Sequence, residues 1–196
     1  MEWAEVLPDL LTALAALLAS GAAVVGLWTW RRQLRGTVEY DVARKTLRGA
    51  LAVRDAITNA RRPVMSGHEW TNRPGRDPSL LTVGPDDWAY AMQNRWNLVA
   101  NAVSEIEADS LHAEVLWGDE VADPLRSLRD LASRLYAGIA FNVHLREHPD
   151  DSEVEIRHAN RALVFAVGGR EGDVFQEEID TCLQSLRSVL RKHIRR

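Results

Sequence analysis

Cysteine and lysine are both scarce in this chain of 196 residues, and both scarcities are informative. Cys182 is the only cysteine, so no intrachain disulfide can form, which is consistent with a reducing cytoplasm. It falls on the apolar stripe of the last predicted helix, where we expect an inert core residue rather than a reactive thiol. Two lysines accompany 22 arginines, a usage that indicates a GC-rich bacterial genome more than a binding chemistry.

Charged residues and proline are absent from residues 10–30, an apolar run of 21 residues. At about 1.5 Å rise per residue, a helix of that length spans roughly 30 Å, the thickness of a bilayer's hydrocarbon core. A cleaved signal peptide would have a basic start and a shorter core, and a buried helix of a soluble protein rarely stays uncharged for so long. We therefore predict a transmembrane helix over residues 10–30.

Tryptophan and arginine mark the ends of this span, as is typical of membrane interfaces. Residues 1–30 carry a net charge of −3, whereas residues 31–62 carry +6. The positive-inside rule therefore predicts a protein of the bacterial inner membrane whose N-terminus lies outside and whose C-terminal part lies in the cytoplasm. The predicted membrane-interface residues are Trp3, Trp28, Trp30, Arg31, Arg32 and Arg35.

The remaining charge is divided between an acidic body and a basic tail. Residues 63–186 carry −12 and residues 187–196 carry +5. Basic residues beside the span fit an anionic inner leaflet, at about 1 kcal/mol for each one near the surface. Because no large cationic face is expected elsewhere, nucleic acid is not an expected ligand.

The spacing of apolar residues predicts an all-α protein. The helix of the span continues through 31–62 and ends before Pro63. Seven prolines and glycines make 63–85 a long connection, which is expected to be either mobile or functional. The predicted segments are a short extracytoplasmic N-terminus (1–9), the transmembrane helix (10–30), a basic juxtamembrane helix (31–62), a Pro/Gly-rich loop (63–85) and an antiparallel helical bundle (86–196) completed by 31–62.

Heptad-like spacing defines the helices of that bundle. One seam runs from Trp88 to Ile106, with either Arg95 or Trp96 on it. A second runs from Val121, where Asp123-Pro124 is predicted to start the helix and would otherwise kink it. Ser152 with Glu155 predicts a capping box for a shorter helix. The last seam comprises Phe175, Ile179, Cys182, Leu186, Val189 and His193.

The sharpest chemical motif is His144-Leu145-Arg146-Glu147-His148, an H-x-x-E-H pattern like that of the inverzincin metallopeptidases. It stands at a helix end before Pro149, where histidine and arginine also favour the negative end of the helix dipole. No third ligand is singled out by spacing among Glu171, Glu177 and Glu178. His68 with Glu69 and His112 with Glu114 are expected to be solvated surface pairs. We therefore expect no enzyme activity, metal or cofactor.

Small residues recur on one side of the span, with Ala22 and Gly26 in the small-xxx-small pattern of helix dimerisation. Packing of this kind depends on close approach of two backbones. The candidate dimer contact comprises Ala15, Ala19, Ala22 and Gly26.

Several short sequences carry a resemblance that covers most of the chain. They are Thr29-Trp30-Arg31-Arg32-Gln33-Leu34-Arg35-Gly36, Tyr40-Asp41-Val42-Ala43-Arg44, Trp117-Gly118-Asp119-Glu120-Val121 and Asp173-Val174-Phe175. In them the chain resembles a set of uncharacterised small bacterial single-pass membrane proteins with a helical cytoplasmic domain. The resemblance implies topology and fold, and no activity.

Two functions fit these observations. The first is a non-enzymatic, membrane-anchored interaction module whose bundle docks a protein partner and whose span can form a homo-oligomer. The alternative is a membrane-acting effector, of the antiphage or toxin type, that oligomerises through its span to permeabilise the bilayer.

Overall fold

The computed structural model describes residues 3–77, 79, 82–148, 154–166 and 172–194. Within these ranges the chain is all-α, without strands, which confirms the predicted fold class. The helices are α1 (Trp3–Ala60), α2 (His68–Thr71), α3 (Pro85–Trp117), α4 (Asp119–Glu147), α5 (Val154–Val164) and α6 (Val174–Ile194).

Helix α1 runs without interruption for 58 residues, which corresponds to about 87 Å at the helical rise. The predicted continuation of the span into the juxtamembrane helix is therefore confirmed. Residues 10–30 carry no charged side chain, whereas from Ala43 onward apolar side chains recur on one buried face, including Ala50, Val53 and Ile57. One helix thus changes from a uniformly apolar rod to one wall of a bundle.

The bundle is formed by four long helices, namely α3, α4, α6 and the C-terminal half of α1. Helices α3 and α6 both pack against α1 and against α4, so that α1 and α4 lie on a diagonal. The core is filled by the predicted seams, with Met92 and Val99 from α3 and Val121 and Leu135 from α4 fully buried. Helices α3 and α4 are antiparallel because only Gly118 separates them. Contacts of Arg61 with Asp173 and of His193 with Glu39 show that α6 runs antiparallel to α1.

The buried face of α6 is wider than the seam predicted for it. Phe175, Ile179 and Leu186 are buried as expected, but Leu183 and Leu190 are buried too. Cys182 and Val189 lie only half-buried at the edge. Burial raises the pKa of the Cys182 thiol, as does the nearby charge of Glu178, so the thiol is less reactive than a free one.

The predicted start of α4 at Asp123-Pro124 is wrong. The helix begins at Asp119, immediately after Gly118, whose φ of 64° gives the one-residue turn from α3. Pro124 lies inside the helix, close enough to its start that only the hydrogen bond to the Glu120 carbonyl is forgone. A left-handed glycine, rather than the proline, sets the boundary.

The short helix α5 packs closely on α4 at a glycine. A Cβ atom on Gly138 would lie 2.9 Å from Leu163 Cδ2 and 3.1 Å from Asn160 Oδ1. The Asn160 side-chain amide donates to the Gly138 carbonyl at 3.1 Å. The capping box predicted at Ser152 lies outside the described residues.

Side-chain contacts identify the two ends of the bundle. At the end near the span, the Trp117 and His193 rings lie 4.8 Å apart, and His193 Nδ1 is 3.5 Å from Glu39 Oε2. At the opposite end, Arg61 contacts Asp173. We call these the span-proximal and span-distal ends.

Gly49 provides a test of the packing between α1 and α3. A Cβ atom there would lie 2.8 Å from Ile106 Cγ1, whereas one on Gly36 would meet nothing within 4 Å. We expect Gly49→Leu to lower the free energy of unfolding by about 1–3 kcal/mol because it overpacks this contact. Gly36→Leu, the matched control on the same helix, should leave it unchanged or raise it slightly. Thermal unfolding of both variants in detergent measures this, and equal stabilities would contradict the described α1–α3 packing.

Candidate functional site

The side chains of α1 from residue 14 to residue 38 are exposed, and no described part of the chain covers them. Leu17, Leu18 and Val24 are 71%, 67% and 67% exposed, and none of the most apolar 18-residue stretch of α1 is buried. This is the one helix of the described chain that is long and apolar enough to cross a membrane. An apolar surface of this size that is bare on all sides is stable in lipid rather than in water.

The predicted membrane-interface residues are exposed around α1 at the C-terminal end of the span. Trp28 and Trp30 are 67% and 57% exposed, and the Arg32 guanidinium lies 5.9 Å from the Trp28 ring centroid. Arg31 and Arg35 are exposed as well. Trp3 belongs to α1, but its side chain lies outside the described part of the structure.

The predicted dimer contact forms a continuous exposed face. Ala15, Ala19, Ala22 and Gly26 recur at intervals of three and four residues, which places them on one side of the helix. All four are exposed, and a Cβ atom on Gly26 would meet nothing within 4 Å. The face is therefore sterically open to a second helix.

The basic residues after the span fall into two groups. The first six are exposed, and none makes an ion pair with a described residue: Arg31, Arg32, Arg35, Arg44, Lys45 and Arg48. Of the three that follow, Arg54 pairs with Asp55 at 2.6 Å and Arg61, just after α1, pairs with Asp173 at 2.9 Å. Arg62 is exposed and makes no ion pair with a described residue. The free positive charge of this helix thus lies in its span-proximal part.

The fold adds more cations at the same end. Helix α6 runs toward the span, so Arg187, Arg191 and Lys192 lie exposed near the level of Glu39, which His193 contacts. In the sequence this basic tail is about 150 residues away from the juxtamembrane helix. Only the antiparallel packing of α6 on α1 brings the two together.

Arg61 has a structural role, although it was included in the net positive charge of the juxtamembrane segment 31–62. Its side chain is 1% exposed and its guanidinium donates to the carbonyls of Leu163 and Ala162 at 2.8 and 3.0 Å. It also makes a bidentate pair with Asp173, whose carboxylate accepts from the backbone N–H of Gln176 at 3.1 Å. Arg61 therefore satisfies carbonyls at the end of α5 and holds the residue that caps α6.

Arg95 likewise satisfies main-chain carbonyls, at the point where the chain leaves α1. Its guanidinium donates to the carbonyls of Arg62 and Val64 at 2.6 and 2.8 Å and to Glu69 Oε1 at 3.0 Å. The expectation that Glu69 is a solvated surface residue is wrong, because its carboxylate is the counterion of this buried arginine. The sequence did contain one indication that Arg95 is buried, since Arg95 was an alternative to Trp96 on the apolar seam of α3.

A third arginine–carboxylate cluster anchors the rest of the Pro/Gly-rich loop. Arg73 Nε donates to Asp87 Oδ1 at 2.7 Å, and Arg76 Nε lies 3.2 Å from Asp87 Oδ2. The hydrogen bond from Arg73 lowers the pKa of the Asp87 carboxyl, with further contributions from Gly84 N–H and Arg76. Ion pairs thus fasten the described part of the 63–85 segment to α3, while Met65 packs against the hydrophobic core.

The histidine motif at the end of α4 brings two imidazoles together. The His144 and His148 rings lie 4.8 Å apart. Within the described residues no group of three His, Cys, Asp or Glu side chains is placed to hold a metal ion. Glu177 is exposed and Glu178 pairs with Arg134, while Glu171 lies outside the described ranges. Of the described candidates, neither Glu177 nor Glu178 is therefore brought to this pair as a third ligand.

Comparison of the chain with protein families, with curated proteins and with solved structures gives no match.

Glu69 makes the anchoring of the loop dependent on pH. The hydrogen bond from Arg95 lowers its carboxyl pKa below the ordinary value of 4.5, so the stability that it contributes is present above pH 4.5 and is lost as the pH falls through its folded-state pKa. We expect Glu69→Gln to reduce stability at neutral pH by about 1 kcal/mol and to flatten the loss of stability below pH 4.5.

Chemical unfolding between neutral and acidic pH tests this expectation. Glu155→Gln is the matched control, since Glu155 is exposed and makes no ion pair with a described residue. Asp87 should retain part of the acid sensitivity in both variants, because its pKa is lowered as well. A Glu69→Gln profile parallel to that of the wild type would contradict the assigned role of Glu69.

Proposed function

We propose that this protein is a single-pass, membrane-anchored helical interaction module without catalytic activity. The observation that carries the proposal is the continuity of α1, whose bare apolar half and bundle-forming half belong to one unbroken helix. Such a helix couples the bundle to the membrane without a flexible linker. The bundle is thereby held at a fixed distance from the bilayer, as a docking surface requires.

The orientation that best fits the charges places the bundle in the cytoplasm of a bacterial cell and the N-terminus outside. Arg31, Arg32 and Arg35 follow the span within about 8 Å along the helix axis, at the level of lipid headgroups. Being exposed cations, they suit an anionic inner leaflet.

Arg44, Lys45 and Arg48 suit a different ligand. A perpendicular helix places them about 20–27 Å beyond Trp30. The headgroup layer is only several ångströms thick and the Debye length is about 8 Å at physiological salt, so these charges lie beyond effective contact with lipid. Their exposure without a counterion among the described residues supports contact with an acidic protein partner.

Fusion reporters test this topology. Alkaline phosphatase fused after Arg196 should be inactive and a fluorescent protein at the same position should be active, because the positive-inside rule keeps the bundle in the cytoplasm. Replacing Arg31, Arg32 and Arg35 with glutamine should reduce the bias toward this orientation, whereas Arg187→Gln should not. An active phosphatase fusion in the unchanged chain would refute the proposed orientation.

The exposed small-residue face supports self-association through the span. We expect Gly26→Leu to weaken association of the isolated span in a bacterial inner-membrane reporter assay, since the bulky side chain keeps two backbones apart. Gly21→Leu is the matched control, because Gly21 is equally open but lies on a different side of the helix. Equal signals for the wild type and Gly26→Leu at equal expression would leave the span as a monomeric anchor.

The same face favours a second function, a membrane-acting effector that permeabilises the bilayer by oligomerising through its spans. The two functions differ in their effect on the membrane potential. Induced expression of an effector dissipates the potential and Gly26→Leu relieves that effect, whereas an interaction module leaves the potential intact.

A further inference from the structure

A cavity of about 570 Å³ lies at the span-distal end, where the Pro/Gly-rich loop, α3, α4 and α5 meet. We call it the distal cavity. Arg146 from α4 and Arg157 and Arg161 from α5 line it, and none of its described lining residues is acidic. Three cations thus face one space in a part of the chain whose net charge is strongly negative.

For two of these arginines, no described residue provides a counterion. Neither Arg146 nor Arg161 makes an ion pair with a described residue. Partial burial lowers the pKa of the Arg146 guanidinium, and the like charge of Arg161 lowers it further. Like charges held together in this way repel each other, and an anion bound between them would relieve the repulsion.

The remaining walls of the cavity are aromatic and apolar, with one amide. Arg146 stacks on the Trp88 ring, 4.3 Å from its centroid, and Trp88 meets the Phe165 ring edge-on at 6.4 Å. Trp70 and Asn142 also line the cavity. The face of an aromatic ring can stack on a flat heterocycle, and a side-chain amide can both donate to and accept from the edge of a base.

The distal cavity lies too far from the span for a membrane lipid to supply the anion. Thirty residues of α1 separate Trp30 from Ala60, and the cavity lies beside the distal end of that helix. The helical rise makes this about 45 Å, far beyond the lipid headgroups. A ligand must therefore arrive from the aqueous phase.

We propose that the distal cavity binds a mononucleotide, with its phosphate between Arg146 and Arg161 and its base against Trp70 and Phe165. Guanidinium groups match phosphate oxygens in bidentate geometry. The volume lies within the range of about 300–1,000 Å³ that is usual for small-molecule sites. This binding role goes beyond membrane anchoring and does not depend on it. It would make the bundle responsive to a soluble metabolite.

The anchoring of the loop explains how the cavity is formed. Trp70 and the adjacent Glu69 belong to α2, and Glu69 pairs with Arg95 on α3. This pair positions the short helix that forms one wall of the cavity. The ion pair between the loop and α3 therefore keeps one wall of the cavity in place.

Equilibrium dialysis of the full chain in detergent tests the proposal with AMP, GMP, CMP and UMP as probes. Adenosine and inorganic phosphate serve as the partial ligands. We expect at least one nucleotide to bind more tightly than either partial ligand. Arg146→Gln with Arg161→Gln should weaken that binding by about tenfold or more, because both charged contacts to the phosphate are lost.

The matched control is Arg187→Gln with Arg191→Gln, which removes the same charge from exposed positions at the span-proximal end and should leave binding unchanged. Hydrogen exchange of the unaltered chain supplies a second readout, in which the nucleotide should protect residues 63–72 and 142–146. Failure of all four nucleotides to bind more tightly than phosphate would overturn the proposal. So would equal weakening in the control, or binding without protection of these segments.

Discussion

The structure depends on one constraint, that a single unbroken helix contains both a segment exposed on every side and a segment that forms one wall of a bundle. Residues 14–30 of α1 expose apolar side chains in every direction, and the C-terminal half of α1 buries one face against α3 and α6. Backbone hydrogen bonds are satisfied within the helix throughout, so the change from exposed to buried surroundings requires no change of backbone structure. The position and spacing of the bundle relative to the span follow from this continuity.

Buried arginines organise the end of the bundle that lies farthest from the span. Arg61 and Arg95 both donate to main-chain carbonyls near helix ends, and each also pairs with a carboxylate. A guanidinium has five donors, and this allows one side chain to join a helix end, a connection and a counterion. A bundle of modest core size can thereby hold a loop that has few apolar residues to bury.

The packing of the helices also determines where charged side chains lie along the molecule. Cations on α1 and α6 that have no ion-pair partner among the described residues gather toward the span, whereas most of those near the distal end are paired or line the distal cavity. Along α1, Trp30 lies about 45 Å and Arg48 about 18 Å from Ala60, beside which the distal cavity lies. We propose lipid and an acidic protein as ligands of the span-proximal cations and a small soluble anion as the ligand of the distal cavity.

The sequence by itself determined the apolar run, the length of α1 and the apolar seams of the bundle, because hydrophobic periodicity is a local property. The all-α fold follows from these. It did not determine that Glu69 and Arg95 form a pair, that Arg61 is buried, or that Gly118 rather than Pro124 starts α4. Nor did it reveal that Arg146 and Arg161 share a cavity with Trp88. Those features join residues that are distant in the chain or depend on a backbone angle, and only the packing of the helices decides such neighbours.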